Sequence, residues 1–239
     1  MLRVENLNAG YGKLQVLHEV SLFFPERKIS VVIGPNGSGK STLLKTIFGL
    51  TKIYSGRIIF ENNDITSLPP HKIASMGIAY LPQTNNVFEN LTVEENLRMA
   101  GYNLSKEELE ARVASSLEFF PQLKLYMKRK AKQLSGGERQ MLAIAMSLIR
   151  KPRLMMFDEP TAALAPKIAH QVLRSIVKLR DELGITIILV EQNARAALEI
   201  ADKASLLVSG RVIFDGLPKD LLENPELGRM YLGVTSSQV

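Results

Sequence analysis

The stretch Gly34–Ser41 reads GPNGSGKS and places its glycines and a Lys-Ser pair at the spacing G-x-x-x-x-G-K-[ST]. The apolar run ISVVI (29–33) comes directly before it, and STLLKTIFG (41–49) follows as a helical segment. Such a strand, loop and helix surround an anion with backbone N–H groups and with the positive end of the helix. The alternative, a glycine-rich turn that binds nothing, does not require this flanking strand and helix. We therefore expect a phosphate-binding loop at the end of a buried strand.

The side chains of this loop have predictable roles. Lys40 is expected to reach the β- and γ-phosphates of ATP, and Ser41 to offer its hydroxyl to Mg²⁺. The metal needs a further carboxylate at the end of a neighbouring strand, and RLMMFDEP (153–160) supplies it as Asp158. Glu159 comes next and is expected to activate the attacking water as general base. The expected nucleotide-binding positions of the loop are Gly34, Pro35, Asn36, Gly37, Ser38, Gly39, Lys40, Ser41 and Thr42.

A second anion-binding helix start is predicted in LSGGERQ (134–140), at Ser135, Gly136 and Gly137. These residues precede the apolar helical segment MLAIAMSLI (141–149), and the N–H groups at a helix start favour an anion. A plain N-cap followed by a flexible turn is the alternative. One chain with one ATP site hardly needs two such cradles. We therefore expect the second cradle to serve the ATP of another subunit.

Composition narrows the class of protein. The chain has 239 residues, of which 46% are hydrophobic and 23% charged, as in ordinary soluble domains. It has no apolar run of the roughly 18 residues that a membrane-spanning helix needs, so membrane attachment is expected to come through a partner. The N-terminus lacks the apolar segment of a signal peptide, and the absence of cysteine excludes disulfides and favours a reducing cytoplasm. A net charge of +6 is compatible with an ordinary basic surface, a nucleic-acid partner or an anionic membrane face.

Strand candidates alternate with helical patterns, which favours an α/β fold with a parallel sheet. The strands are apolar throughout, as expected where both faces of a sheet are covered. No repeat or linker interrupts the chain, so we predict one domain over 1–239. Its core is expected to comprise about 1–83 and 151–239, with a helical subdomain of about 84–150 inserted between them. The strand candidates lie at 2–7, 17–24, 29–33, 154–157 and 186–190.

In this order, GPNGSGKST, LSGGERQ and LMMFDEP resemble the motifs of the ATP-binding cassette ATPases, over essentially the whole chain. The resemblance implies a P-loop NTPase parallel-sheet core with an N-terminal antiparallel β region. It also implies that the inserted helical subdomain docks on a membrane partner. In this family two cassettes enclose two ATP molecules, each bound by the P-loop of one cassette and the LSGG segment of the other.

Further positions follow from the same resemblance. Tyr11, in AGYGKLQVL, matches the aromatic residue that stacks on adenine, with a surface turn tyrosine as the alternative. Gln83, in AYLPQTNNVF, matches the glutamine that links metal and water to the helical subdomain. Two positions depart from the pattern: Ala165 replaces an aspartate that acts across the dimer, and Gln192 replaces a histidine that contacts the γ-phosphate. Because a glutamine amide donates a hydrogen bond without a positive charge, we expect slower turnover or a greater need for the partner.

The sequences DEPTAALAP and LVEQNA, with a late YLG at Tyr231, Leu232 and Gly233, are similar to one ATPase subunit type of branched-chain amino-acid importers. That similarity implies a sister ATPase in a heterodimer, with a homodimer as the alternative. It also implies two integral-membrane permease subunits, an external solute-binding protein and a peripheral position on the cytoplasmic face of the membrane. Importers of urea and short amides share these features.

Two other classes of function are less compatible with the sequence. A soluble cassette ATPase acting on nucleic acid or ribosomes would suit the positive charge. However, family members that act in DNA repair carry long coiled-coil arms between the P-loop and LSGG, and here Lys40 and Ser135 are only 95 positions apart. Members that act in translation usually carry two cassettes in one chain, and this chain has one. No nucleic-acid partner is therefore expected. A regulator that no longer hydrolyses ATP would suit Ala165 and Gln192, but it would not need Glu159 as a base.

Overall fold

The computed structural model describes residues 1–224 and residue 227. The strands are β1 (Leu2–Tyr11), β2 (Leu14–Phe24), β3 (Ile29–Ile33), β4 (Lys52–Phe60), β5 (Asn63–Asp64), β6 (Ile78–Leu81), β7 (Leu154–Asp158), β8 (Thr186–Val190), β9 (Lys203–Val208) and β10 (Arg211–Gly216). The helices are α1 (Lys40–Ile47), α2 (Pro70–Ser75), α3 (Val93–Ala100), α4 (Lys106–Phe119), α5 (Gly136–Leu148), α6 (Pro166–Leu183), α7 (Ala194–Leu198) and α8 (Pro218–Leu222). Two 3-10 turns, Pro121–Tyr126 and Ala131–Gln133, lie between α4 and α5.

The strands form two sheets. One is antiparallel, in the order β2-β1-β4-β5, and the other follows the order β10-β9-β3-β8-β7-β6. In the second sheet the five strands from β9 to β6 are parallel, and only β10 runs antiparallel at the edge. The predicted α/β fold with a parallel core and an N-terminal antiparallel region is confirmed.

The central strands β3, β7 and β8 are buried along their full length, which explains their uniformly apolar sequences. Their carboxyl ends lie side by side, since Asp158 pairs in register with Val190, and Val190 pairs with Val32. Ligands of open α/β sheets bind at this edge. The fold therefore brings the segments that follow β3, β7 and β8 to one place.

The chain between β6 and β7 is helical in the structure, with α3, α4 and α5 as its main elements. Each of these helices begins at a Ser or Thr that accepts a backbone hydrogen bond, namely Thr92, Ser105 and Ser135. Their apolar side chains belong to the same buried cluster as one face of the parallel sheet, as Leu97 and Ile144 do with Met155. The helical segment is therefore packed on the core and not separated from it by a linker.

Two further observations concern expectations from the sequence. Among the described residues, none of the helices has the length and apolar character required to span a bilayer. The YLG triplet at Tyr231–Gly233 lies outside the described residues.

Candidate nucleotide-binding and hydrolysis site

The loop between β3 and α1 is shaped for close approach to an anion. Gly34 lies against the carbonyl oxygen of Leu207 so closely that a Cβ at this position would overlap it. Gly39 adopts φ 100°, a left-handed conformation that side chains disfavour. Helix α1 begins without a side-chain cap and without an acidic residue in its first turn. Its first N–H groups therefore remain available to a phosphate.

Lys40 spans this loop from its buried position at the start of α1. Its Nζ donates to the carbonyl oxygens of Gly34 at 2.8 Å and Pro35 at 3.0 Å, and the residue is only 4% exposed. Burial lowers the pKa of Lys40, while the negative charges of Glu159 and Asp158 oppose that shift. The ammonium group thus lies at the phosphate loop and within the field of both carboxylates.

Asp158, at the end of β7, faces the first turn of α1. Its Oδ1 accepts a hydrogen bond from Ser41 Oγ at 2.7 Å, and its Oδ2 accepts one from the Tyr80 hydroxyl at 3.0 Å. The described residues contain no cluster of three or more His, Cys, Asp or Glu that could hold a metal ion. A carboxylate and a hydroxyl fit Mg²⁺, which prefers oxygen ligands and completes its shell with phosphates and water. Ser41 and Asp158 are thus brought together as the sequence predicts.

Glu159 is held in an uncommon backbone conformation, with φ 49°. Its N–H donates to the carbonyl of Val190 at 2.9 Å, which ties it to the end of β8. Gln83 follows β6 and donates from Nε2 to Glu159 Oε2 at 3.1 Å. The predicted base and the predicted linking glutamine are therefore in direct contact.

The polar residues after β8 have separate roles. Glu191 is 3% exposed and accepts hydrogen bonds from the Thr161 N–H at 3.0 Å and from Thr161 Oγ1 at 2.8 Å. Burial raises the pKa of Glu191, although the hydrogen bonds from Thr161 act in the opposite direction. Gln192 and Asn193 are exposed, and Asn193 caps α7 through Ala196 N–H at 3.4 Å. Sequence reasoning gave no role to Glu191, although a carboxylate directly after a fully apolar strand was a signal.

Gln192 lies beside the segment that follows Glu159. It shares a cavity of about 340 Å³ with residues 161–164 and with His170 of α6. Ala165, in place of the expected aspartate, is exposed at the start of α6. This surface is open in the single chain.

The start of α5 carries a complete capping box. Ser135 Oγ accepts from Glu138 N–H at 3.3 Å, and Glu138 Oε2 accepts from Ser135 N–H at 2.7 Å. Hydrogen bonds to the Glu138 carboxylate lower its pKa, first from the Ser135 backbone and then from the Tyr126 and Ser135 side chains, while burial acts in the opposite direction. The N–H groups of Gly136 and Gly137 have no intrahelical acceptor by helix geometry. The cap therefore leaves these two N–H groups without a partner inside the helix.

Gly136 and Gly137 also pack on the segment that follows Glu159. A Cβ on Gly136 would lie 2.7 Å from Leu164 Cδ2, and one on Gly137 would overlap Ile168 Cγ2. The two glycines thus permit a close contact between α5 and the beginning of α6.

Tyr11 ends β1 at the hairpin that leads into β2 and is 43% exposed. It pairs with Leu14, and the next part of the hairpin approaches the phosphate loop, where a Cβ on Gly39 would lie 2.9 Å from Leu17 Cδ2. The structure therefore places Tyr11 at the end of a hairpin that borders the phosphate loop.

Comparison with known proteins identifies the family. The family model described as "ABC transporter" matches residues 17–162. A protein named probable branched-chain amino acid transport ATP-binding protein LivF, from Archaeoglobus fulgidus, is 55% identical over 98% of this chain and 99% of its own length. The high-affinity branched-chain amino acid transport ATP-binding protein BraG of Pseudomonas aeruginosa is 43% identical over 98% of this chain and its full length.

A solved structure agrees with these relatives. The ADP conformation of an ATP-binding cassette of an ABC transporter superposes with a TM-score of 0.88 at 31% identity. The superposition covers 98% of this chain and 99% of that one. Its bound ADP is consistent with a phosphate site in this fold. The chain therefore belongs to the ABC transporter family, as an ATP-binding subunit that hydrolyses ATP to power transport.

Proposed function

We propose that this chain is the ATP-hydrolysing subunit of an importer for branched-chain amino acids, bound peripherally to the cytoplasmic face of the membrane. The observation that carries the proposal is the 55% identity, over nearly both full lengths, to a protein named for branched-chain amino acid transport. The protein BraG, also named for branched-chain amino acid transport, is 43% identical over nearly the whole chain and supports the same solute class. The departures at Ala165 and Gln192 resemble this subunit type, which supports the same assignment.

In the proposed reaction, the phosphates lie on residues 34–42 and on the first N–H groups of α1. Lys40 would leave the carbonyl oxygens of Gly34 and Pro35 and bind the β- and γ-phosphates, to which its charge is attracted more strongly. Ser41 and Asp158 would hold Mg²⁺, which supplies positive charge to the β- and γ-phosphate oxygens. Tyr11 would cover the adenine at the edge of the β1–β2 hairpin.

The chemical step is the attack of water on the γ-phosphorus. The water oxygen forms a bond to phosphorus, the bond from phosphorus to the bridging oxygen breaks, and ADP leaves with that electron pair. Glu159 accepts a proton from the water, with its carboxylate oriented by the amide of Gln83 at 3.1 Å. Gln192 would donate its amide N–H to the γ-phosphate.

A second cassette would complete each site. The start of α5, at Ser135, Gly136 and Gly137, would bind the γ-phosphate of the ATP held by the partner. Its exposed serine and the N–H groups of its first turn, which have no intrahelical acceptor, support this role. A heterodimer with a sister ATPase is favoured by the similarity to this subunit type, and it would have two unlike ATP sites.

The membrane partner would contact the groove between the parallel sheet and the helical segment. This groove has a volume of about 350 Å³ and combines apolar side chains with polar and cationic ones, including Phe48, Asn86, Met146 and Arg150. Pro82, which precedes Gln83, lines it, as does Ala143 of α5, and this link to the site supports its use for docking a permease. An external solute-binding protein would then select the solute.

The test is capture from native membranes with a tagged Glu159→Gln chain and Mg·ATP, followed by mass spectrometry. We expect two permeases and a second cassette ATPase. A tagged Lys40→Ala chain serves as matched control, and it should lose the second cassette because the ATP that joins the two is bound weakly. Uptake of labelled leucine and labelled urea by cells lacking the gene, with and without the wild-type chain, then identifies the solute.

If the wild-type chain restores uptake of urea but not of leucine, the importer carries urea or short amides and not branched-chain amino acids. Recovery of ribosomal or DNA-binding proteins, with no membrane protein, would refute the importer itself.

A further inference from the structure

Tyr80 joins the parallel sheet to the metal-binding carboxylate. It lies in β6, whose register with β7 pairs Tyr80 with Met156, two residues before Asp158. Its hydroxyl donates to Asp158 Oδ2 at 3.0 Å, while Ser41 donates to the other oxygen at 2.7 Å. The carboxylate plane is therefore fixed by donors from two different elements.

The ring of Tyr80 has a second environment. It lines the 350 Å³ groove between the sheet and the helical segment, and it packs on Phe48 with ring centroids 5.6 Å apart. Phe48 follows α1 directly, so it is linked through the helix to Ser41. One side chain thus contacts both the groove and a ligand of the expected metal.

We propose that Tyr80 is a positioning residue that orients Asp158 for Mg²⁺ and makes the metal site respond to occupation of the groove. The first part of the proposal, the orientation of Asp158, concerns this chain alone. The second part rests on the proposed function, because it takes the permease as the occupant of the groove. A segment pressed into the groove would shift the Tyr80 ring, and the 3.0 Å hydrogen bond would carry that shift to the carboxylate.

The first experiment compares Tyr80→Phe with wild type and with Tyr102→Phe, a control at a tyrosine that is 74% exposed. Binding of a fluorescent ATP analogue to the full chain is measured in EDTA and over a range of Mg²⁺ concentrations. For Tyr80→Phe we expect unchanged binding in EDTA and a Mg²⁺ requirement raised about five- to tenfold, since a hydrogen bond to a charged group is lost. The control should match wild type.

Equal Mg²⁺ requirements in all three chains would overturn the positioning role. If Tyr80→Phe weakens binding of the ATP analogue by the same factor with and without Mg²⁺, the positioning role is also overturned, because a general loss of stability lowers binding under both conditions.

The second experiment uses the complex purified from membranes. We expect the Mg²⁺ requirement of wild type to change by at least threefold on assembly with the permease, and that of Tyr80→Phe to change less. An unchanged requirement in an assembled wild-type complex would overturn the coupling. Failure to recover any permease would instead refute the proposed function and leave the first experiment intact.

Discussion

Glu191 offers a sharp test of how the segment after Glu159 is held. Its carboxylate is 3% exposed and accepts two hydrogen bonds from Thr161, one from the backbone and one from the hydroxyl. We expect Glu191→Ala to release this segment, because nothing else replaces the acceptor. Glu191→Gln is the matched control, since its amide oxygen can accept the same hydrogen bonds without a charge.

The magnitude follows from the contacts that are removed. Two hydrogen bonds contribute about 1 kcal/mol each, and the one buried methylene group that is removed contributes about 0.8 kcal/mol. Removal of the buried carboxylate also removes its desolvation cost and offsets part of this sum, so we expect Glu191→Ala to lower the free energy of unfolding by about 1–3 kcal/mol. In a chain of this size that corresponds to a fall in Tm of roughly 2–12 °C. Glu191→Gln should cost less than about 1 kcal/mol.

The pH dependence has a definite sign. Burial raises the pKa of Glu191 in the folded protein. At a pH between the ordinary pKa and this raised pKa, the folded state therefore keeps a proton that the unfolded state releases. Stability from this group is complete below the ordinary pKa and is lost as the pH rises through the raised one. Glu191→Gln lacks this titration. Wild type should therefore be most stable relative to Glu191→Gln at low pH and lose that advantage as the pH rises.

The measurement is urea denaturation of the three chains at several pH values, with nucleotide absent, together with ATP hydrolysis by the assembled complex. If Glu191→Ala and Glu191→Gln are equally stable, the hydrogen bonds to Thr161 do not hold the segment. If the difference between wild type and Glu191→Gln is independent of pH, the burial argument fails.

Three further substitutions have definite expected outcomes. Lys40→Ala should weaken ATP binding at least tenfold, because a charged donor to the phosphates is lost; unchanged affinity by fluorescence titration would contradict the phosphate role. Glu159→Gln should abolish turnover and preserve ATP binding, whereas a wild-type phosphate-release rate would remove Glu159 as base. Gly137→Ala should destabilise the fold by about 1–3 kcal/mol through overlap with Ile168. Adding Ile168→Ala should recover part of that loss. If the two changes lower the free energy of unfolding additively in thermal denaturation, the overlap between residues 137 and 168 is excluded as the cause.

Some features of the site could be predicted because they depend on residues close together in the chain. Residues 34–42 form a strand end, a loop and a helix start, and their glycines and Lys-Ser pair indicate phosphate binding without further context. The same holds for Ser135 to Gly137, where the helix start is set by a capping box of four residues, Ser135–Glu138. By contrast, Lys203–Val208 and Arg211–Gly216 were not among the predicted strands, although the first is apolar and the two are separated by a Ser-Gly turn.

By itself, the sequence determined the α/β class with a parallel sheet, the loop that is expected to receive the phosphates and the two carboxylates where β7 ends. Only the tertiary structure decided the contacts that position them. Tyr80 meets Asp158 across 78 positions, and Glu191 meets Thr161 across 30. Such pairs depend on which strands lie side by side in the parallel sheet and on the register between them. Strand order is set by packing over the whole domain, and no local pattern of residues records it.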